Sequence, residues 1–192
     1  NMSPLPRKEQ TKTIINPEEY GFPDMVQKEV IIDNIKIVQD SIFAMGELYK
    51  MMFKWFEAYE YGFHEDEYNE ETKQTGKNVK IYWTAEKKID AYVKFVIEIG
   101  MFALNMNDAD IERGGLKIKS NKANIEFRIS AYLRKDYADK WKNLHMFHYI
   151  YDKVIIQDRI DKYGGELYRE TNKLIDEIKA FLNLHRLYCK VR

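Results

Sequence analysis

Two histidines and an aspartate stand close together late in the chain and are the first residues to consider for chemistry. His145 and His148 are three residues apart and Asp152 follows four residues later, so one face of a helix would carry all three. Two imidazoles and a carboxylate are a ligand set that zinc accepts. The glutamate of a HExxH arrangement is missing, and Phe147 and Tyr151 lie among them on the expected packing side. We therefore interpret them as ordinary helix residues and expect no metal site.

Clustered carboxylates are the second group to consider for chemistry, either as a cation site or as an acid–base pair. Five of them lie within the segment 65–71, but the spacing and central glycine of an EF-hand loop are missing, which favours a solvated loop or strand edge. Glu98 and Glu126 would form an acid–base pair if their strands were adjacent. Their neighbours Lys94 and Arg128 favour ordinary cross-strand ion pairs instead.

The single cysteine, Cys189, has His185 four residues before it. A cysteine nucleophile needs a preformed cleft, which a terminal segment is poorly suited to provide. One cysteine also excludes an intrachain disulfide and a cysteine-cluster zinc site. Because the sequence contains no phosphate-binding glycine loop and no GxSxG motif, we expect no catalytic residue and no cofactor. The sequence leans against an enzyme.

The composition favours one domain without a polyanion-binding charge. The 192 residues suit a single domain, and 31 basic residues balance 31 acidic ones, whereas a protein that coats nucleic acid normally carries a basic excess. The most apolar stretch, 95–104, is too short for a bilayer span, and the sequence does not begin with a signal peptide. We expect a cytoplasmic protein that contacts no membrane, in keeping with its lone thiol.

The chain divides into an arm, a domain and a short tail. All four prolines lie within residues 1–25, which are predicted to form an arm that is either loose or docked. Residues 26–187 are predicted to form one domain and 188–192 a tail. The β-branched segment 30–38 predicts a strand. A helix over 45–60 follows from apolar residues at intervals of three and four: Leu48, Met51, Met52, Trp55, Phe56 and Tyr59.

The middle of the chain alternates apolar and polar residues over 79–86, 89–103 and 125–134. A period of two predicts an antiparallel sheet with one buried face. Gly114-Gly115 and Ser120-Asn121-Lys122 are predicted turns. The other face gathers aromatic and basic residues, as RNA-binding sheets do, and is the candidate face for a ligand or partner: Lys80, Tyr82, Tyr92, Lys94, Arg128, Tyr132 and Arg134.

Helical spacing returns in the last third of the chain. Leu167, Leu174 and Phe181 form a heptad-like seam, and Gly164-Gly165 before it predicts a kink or break. The predicted class is therefore α+β: an antiparallel sheet of four to six strands packed on a long C-terminal helix or helix pair, with one helix after the first strand. The seam would either cover the apolar face or bring two chains together.

Several runs resemble an uncharacterised family of small archaeal proteins, and the resemblance covers about residues 30–184. They are Leu48-Tyr49 with Trp55, Trp83-Thr84-Ala85-Glu86, Ile129-Ser130-Ala131-Tyr132-Leu133, Tyr151-Asp152-Lys153 and Glu166-Leu167-Tyr168-Arg169-Glu170. The resemblance implies only an archaeal, intracellular setting. The order of elements is also similar to the helix-grip fold of START and Bet v 1-like ligand carriers, which implies an apolar cavity between the sheet and the last helix.

These observations favour a non-enzymatic interaction module that binds a protein partner or a second copy of itself through its arm, helix seam or sheet face. One alternative is a carrier of a small apolar ligand between sheet and last helix. The other is binding of single-stranded nucleic acid on the face that carries the tyrosines, lysines and arginines.

Overall fold

A computed structural model of the chain describes residues 28–113, 116–137 and 157–190, with the backbone alone for 110–113, 116–118 and 184–190. Its elements, in chain order, are β1 (Lys28–Phe43), α1 (Met45–Ala58), β2 (Gly62–Lys73), β3 (Gly76–Lys88), β4 (Val93–Arg113), β5 (Leu116–Lys135) and α2 (Gln157–Lys190). The strands pair antiparallel in one five-stranded sheet, in the order β1-β5-β4-β3-β2. The predicted α+β class, with a helix after the first strand and a long C-terminal helix on the sheet, is confirmed.

The predicted alternation separates an inner, buried face of the sheet from an outer face. Odd-numbered side chains in the middle of the three central strands point inward and are almost completely buried. They include Val79, Ile81, Trp83 and Ala85 of β3, Phe95, Ile97, Ile99 and Met101 of β4, and Ile125, Phe127, Ile129, Ala131 and Leu133 of β5. Their even-numbered neighbours turn outward, because successive side chains of a strand point to opposite faces.

Helix α2 covers the inner face over β1, β5 and β4. The predicted seam makes this contact, since Leu167 and Leu174 are fully buried and Phe181 is partly buried. Burying such a side chain stabilises the fold by about 2 kcal/mol. Because the seam packs on the sheet of its own chain, its buried residues are not available to bring two chains together.

Helix α1 covers the inner face next to β2. Phe56 stacks on Phe63 of β2 with ring centroids 5.1 Å apart, and Tyr49 meets Trp83 of β3 edge-on at 5.6 Å. The helix ends at Ala58, and Gly62 already belongs to β2. The two helices together leave the outer face of the sheet uncovered by any described helix.

The predicted turn at Ser120-Asn121-Lys122 is wrong, because these residues lie inside β5. Ser120 is buried, and the side-chain oxygen of Asn121 accepts a hydrogen bond from the N–H of Met45 at the start of α1. Residue types that are common in turns therefore serve the sheet and the helix terminus here.

The predicted break at Gly164-Gly165 is also absent, because α2 is continuous through both glycines. A Cβ on Gly164 would lie 3.0 Å from Cδ1 of Ile31, so this glycine lets the helix approach β1 closely. Gly164 therefore serves the packing of α2 against β1.

Several predictions lie outside the described residues: the arm at 1–25, the turn at Gly114-Gly115, the group His145, His148 and Asp152, and the side chains of His185 and Cys189. Within the described ranges, no helix has the length and apolar character that crossing a bilayer requires.

Candidate interaction surface

The outer face of the sheet carries most of the predicted site residues. The register places Tyr82 of β3 beside Gly100 of β4, and Gly100 beside Arg128 of β5. Lys94 and Arg134 are likewise paired. Six of the predicted residues share this face: Lys80, Tyr82, Lys94, Arg128, Tyr132 and Arg134.

Tyr92 does not share the outer face, which corrects the prediction. Strand β4 begins at Val93, so Tyr92 lies in the turn between β3 and β4, where it is buried. The carboxylate of Asp90 accepts hydrogen bonds from the N–H groups of Tyr92 and Val93 at 2.7 and 2.8 Å. This local hydrogen bonding forms a turn that includes Tyr92, so the alternation of β4 begins only after Tyr92.

Tyr132 lies on the outer face but is only 7% exposed. Its hydroxyl donates to Oε1 of Glu98 at 2.7 Å, and Nζ of Lys28 lies 4.3 Å from the centre of its ring. Burial, followed by the Glu98 carboxylate, raises the pKa of Tyr132 above its ordinary value. A ring covered in this way offers little surface on which a nucleic-acid base could stack.

The basic residues at the centre of the outer face are paired with carboxylates. Nζ of Lys94 lies 2.6 Å from Glu86, and Nε of Arg128 donates to Glu126 at 2.6 Å. Lys36 of β1 contacts the other oxygen of Glu126 at 2.9 Å. The hydrogen bonds from Lys36 and Arg128 lower the pKa of the Glu126 carboxyl. The pairing leaves little unbalanced positive charge for a phosphate backbone.

Glu98 and Glu126 are not placed as an acid–base pair. Glu98 pairs in register with Ser130, whereas Glu126 pairs with Phe102. This separates the two carboxylates by about 14 Å along the strand direction, too far to share a proton.

The acidic segment 65–71 lies in β2, the strand at one edge of the sheet. Lysines of β3 face it: Lys77 lies 2.8 Å from Glu70, and Lys80 lies 3.4 Å from Glu67. Among the described side chains, no three His, Cys, Asp or Glu residues are grouped to hold a metal ion. The segment is a charged edge whose neighbouring strand supplies the balancing cations.

Apolar side chains are exposed on the outer face, a feature that sequence reasoning missed. Val30 and Val38 of β1 are 59% and 51% exposed, and Leu104 of β4 is 45% exposed. Val38 lies beside Glu126, which lies beside Phe102. Apolar side chains interspersed with polar groups are common in protein–protein interfaces. The sequence signal was weak because Val30 and Val38 stand in a segment rich in β-branched residues, 30–38, which does not show which of its side chains are exposed.

Two concave regions complete the surface. A depression of about 360 Å³ on the outer face is lined by Gly100, Tyr82 and Arg128 among others. A Cβ on Gly100 would lie 3.0 Å from Cε1 of Tyr82, so glycine permits the close approach of that ring. A groove of about 420 Å³ runs between α1 and α2, where Trp55 and Phe181 line it. Neither region lies between the sheet and α2.

Comparison with known proteins assigns no family, since the chain matches no family model and no curated protein. What it binds must therefore be inferred from the chemistry of its surfaces. These are the outer face, the groove between α1 and α2, and the outer edge of β1, which is the side of that strand turned away from β5.

Proposed function

We propose that the protein is a non-enzymatic interaction module that binds a protein partner through the outer edge of β1 and the adjoining outer face. The observation that carries the proposal is the exposure of Val30 and Val38 on the edge strand. A solvated sheet face is normally polar, and an exposed edge is normally guarded by charge. Apolar side chains at such an edge are instead suited to contact with another protein chain.

The two edges of the sheet differ in a way that supports this choice. Strand β2 presents a run of carboxylates at 65–71, and an excess of one charge on an edge strand disfavours pairing with a second acidic strand. Strand β1 carries both signs of charge and exposed valines, and within the described ranges no strand pairs with its outer edge. Its N–H and C=O groups on that side are therefore a template for strand addition.

The other two functions have less support from the same residues. Nucleic-acid binding needs unpaired cations and accessible rings, whereas Arg128 and Lys94 are paired and Tyr132 is buried. A carrier of an apolar ligand needs free apolar surface between sheet and helix. The side chains there, such as Phe127 and Leu174, are fully buried members of one core cluster.

Selection of random decapeptides on the immobilised chain tests the proposal, because strand addition is driven mainly by the peptide backbone. We expect enriched peptides to compete with one another and to lose most of their affinity for the Val38→Lys variant. Tyr168→Lys is the matched control, since Tyr168 is 54% exposed but lies on α2. Enriched peptides that bind the Val38→Lys variant as well as the unchanged chain would refute the proposal.

A further inference from the structure

The outer edge of β1 is regular over 35–43 and irregular before that. Register shifts interrupt the pairing with β5 between Val30 and Ile35, and Asn34 has a φ of 45°. From Ile35 to Phe43 every residue pairs with β5 without a shift. A regular edge is what an additional strand requires, whereas bulges disrupt pairing. The site for strand addition is therefore the segment 35–43.

This segment complements itself when it runs antiparallel to a second copy. Lys36, Val38 and Asp40 lie on the outer face, because each pairs with an even-numbered residue of β5. A two-fold axis through Val38, normal to the sheet, would set the two Val38 side chains opposite each other. The same axis would set each Lys36 opposite the Asp40 of the second chain. Opposite charges and apolar pairs both stabilise antiparallel neighbours.

Other registers about a nearby two-fold axis are less favourable. An axis at Lys36 would oppose two lysines, and an axis at Asp40 would oppose two aspartates. Axes at the intervening odd-numbered residues would oppose Val38 with a charged side chain. Like charges directly opposite are destabilising in a sheet, so the register through Val38 is favoured over its neighbours.

We infer that two copies of this chain associate edge to edge through β1, in the antiparallel register centred on Val38. The inference rests on the proposed function and names the protein partner as a second copy. On the inner side, α2 holds the edge through hydrogen bonds from Ser41 to the Leu182 carbonyl, 3.0 Å, and from Gln39 to Asn183, 3.1 Å. The joined sheet has closed two-fold symmetry, the commonest arrangement of homo-oligomers.

A symmetric disulfide tests the register directly. In a chain that carries Cys189→Ser, V38C would bring two cysteines opposite each other, with Cα atoms about 4.5–5.5 Å apart, within disulfide range. V30C is the matched control, because Val30 is an exposed valine of the same strand. In this register the two copies of position 30 lie more than about 40 Å apart. We expect V38C to form disulfide-linked dimers under mild oxidation and V30C to form none.

A charge exchange tests the pairing without a covalent bond. K36D or D40K opposes like charges, and each should raise the dimer dissociation constant about tenfold in sedimentation equilibrium. The double variant K36D/D40K restores opposite charges and should return the constant towards that of the unchanged chain. Because Lys36 also contacts Glu126 and Asp40 accepts a hydrogen bond from Asn124, circular dichroism must show that each variant is folded.

The outcomes separate this inference from the proposed function. An unchanged chain that keeps the 23.0 kDa mass of a monomer at high micromolar concentration overturns the inference. Equal cross-linking of V38C and V30C overturns it as well. If selected peptides still bind the edge of such a monomer, the proposed function stands without the second copy. If no peptide binding depends on Val38 and the unchanged chain is also a monomer, both fail.

Discussion

A mostly buried ion pair ties α2 to the sheet, and breaking it tests how the helix is held. Glu170 of α2 accepts hydrogen bonds from Nζ of Lys87 at 3.0 Å and from the hydroxyl of Tyr61 at 2.7 Å. The side chains of Lys87 and Glu170 are only 17% and 12% exposed. We predict that Lys87→Met destabilises the fold markedly, because it leaves a carboxylate with one partner in a largely dry environment.

The size of the effect follows from that burial. Removing one partner of a fully buried pair costs about 3–5 kcal/mol. Because both side chains retain some contact with water, we expect about 2–3 kcal/mol for Lys87→Met. Glu170→Gln removes the charge and keeps an oxygen for the hydroxyl of Tyr61. The double variant K87M/E170Q should therefore cost only about 1 kcal/mol.

Urea unfolding followed by circular dichroism gives the free energies of unfolding for this cycle. Lys77→Met is the matched control, because Lys77 contacts Glu70 at 2.8 Å but is 52% exposed. It should leave the free energy of unfolding almost unchanged, because water screens an exposed ion pair. A Lys87→Met variant as stable as the unchanged chain, or a double variant no better than the single one, would refute the reasoning.

Burial, followed by a neighbouring carboxylate, raises the pKa of Tyr61 above 10.0, its ordinary value. The unfolded chain therefore loses this proton at a lower pH than the folded chain. Above pH 10, Tyr61 should lower the free energy of unfolding by about 1.4 kcal/mol per pH unit. Tyr61→Phe should lessen the slope by about that amount in alkaline urea titrations, leaving the part that Tyr132 contributes because its pKa is also raised, and an unchanged slope would contradict this. Thr171 is fully buried, and its hydroxyl has no partner in the described part of the chain, so Thr171→Val should raise the free energy of unfolding by about 1 kcal/mol. Gly165→Ala should stabilise α2 by about 1 kcal/mol, because a Cβ there meets no atom within 4 Å, and Gly164→Ala should gain less because Ile31 must move. Equal melting-temperature gains for the two glycine variants would count against this packing.

The inner face was predictable from the sequence because its buried positions are apolar and alternate with polar positions along each strand. Ile81 and Ile129 alternate with polar neighbours, and both are fully buried. The seam residues Leu167 and Leu174 repeat at helical spacing because they face the same sheet. A helix or strand shows such a periodic pattern when one of its sides is buried and the other is solvated, and these elements meet that condition.

The candidate surface was predicted only in part, since it depends on which strands become neighbours. Val38 ends the segment Ile35-Lys36-Ile37-Val38, in which apolar side chains fall on both faces of the strand. Its exposure follows from the position of β1 at the end of the sheet, which residue types alone do not specify. In the sequence Tyr92 fits the alternation, but its N–H donates a hydrogen bond to the side chain of Asp90, and this bond forms a turn.

Hydrogen exchange of β1 at increasing chain concentration tests most directly whether its outer edge is a protein-binding surface. We expect amides in 35–43 to exchange more slowly as the concentration rises, while those of β2 at the opposite edge are unchanged. Exchange in 35–43 that depends neither on concentration nor on added edge-selected peptide would contradict it.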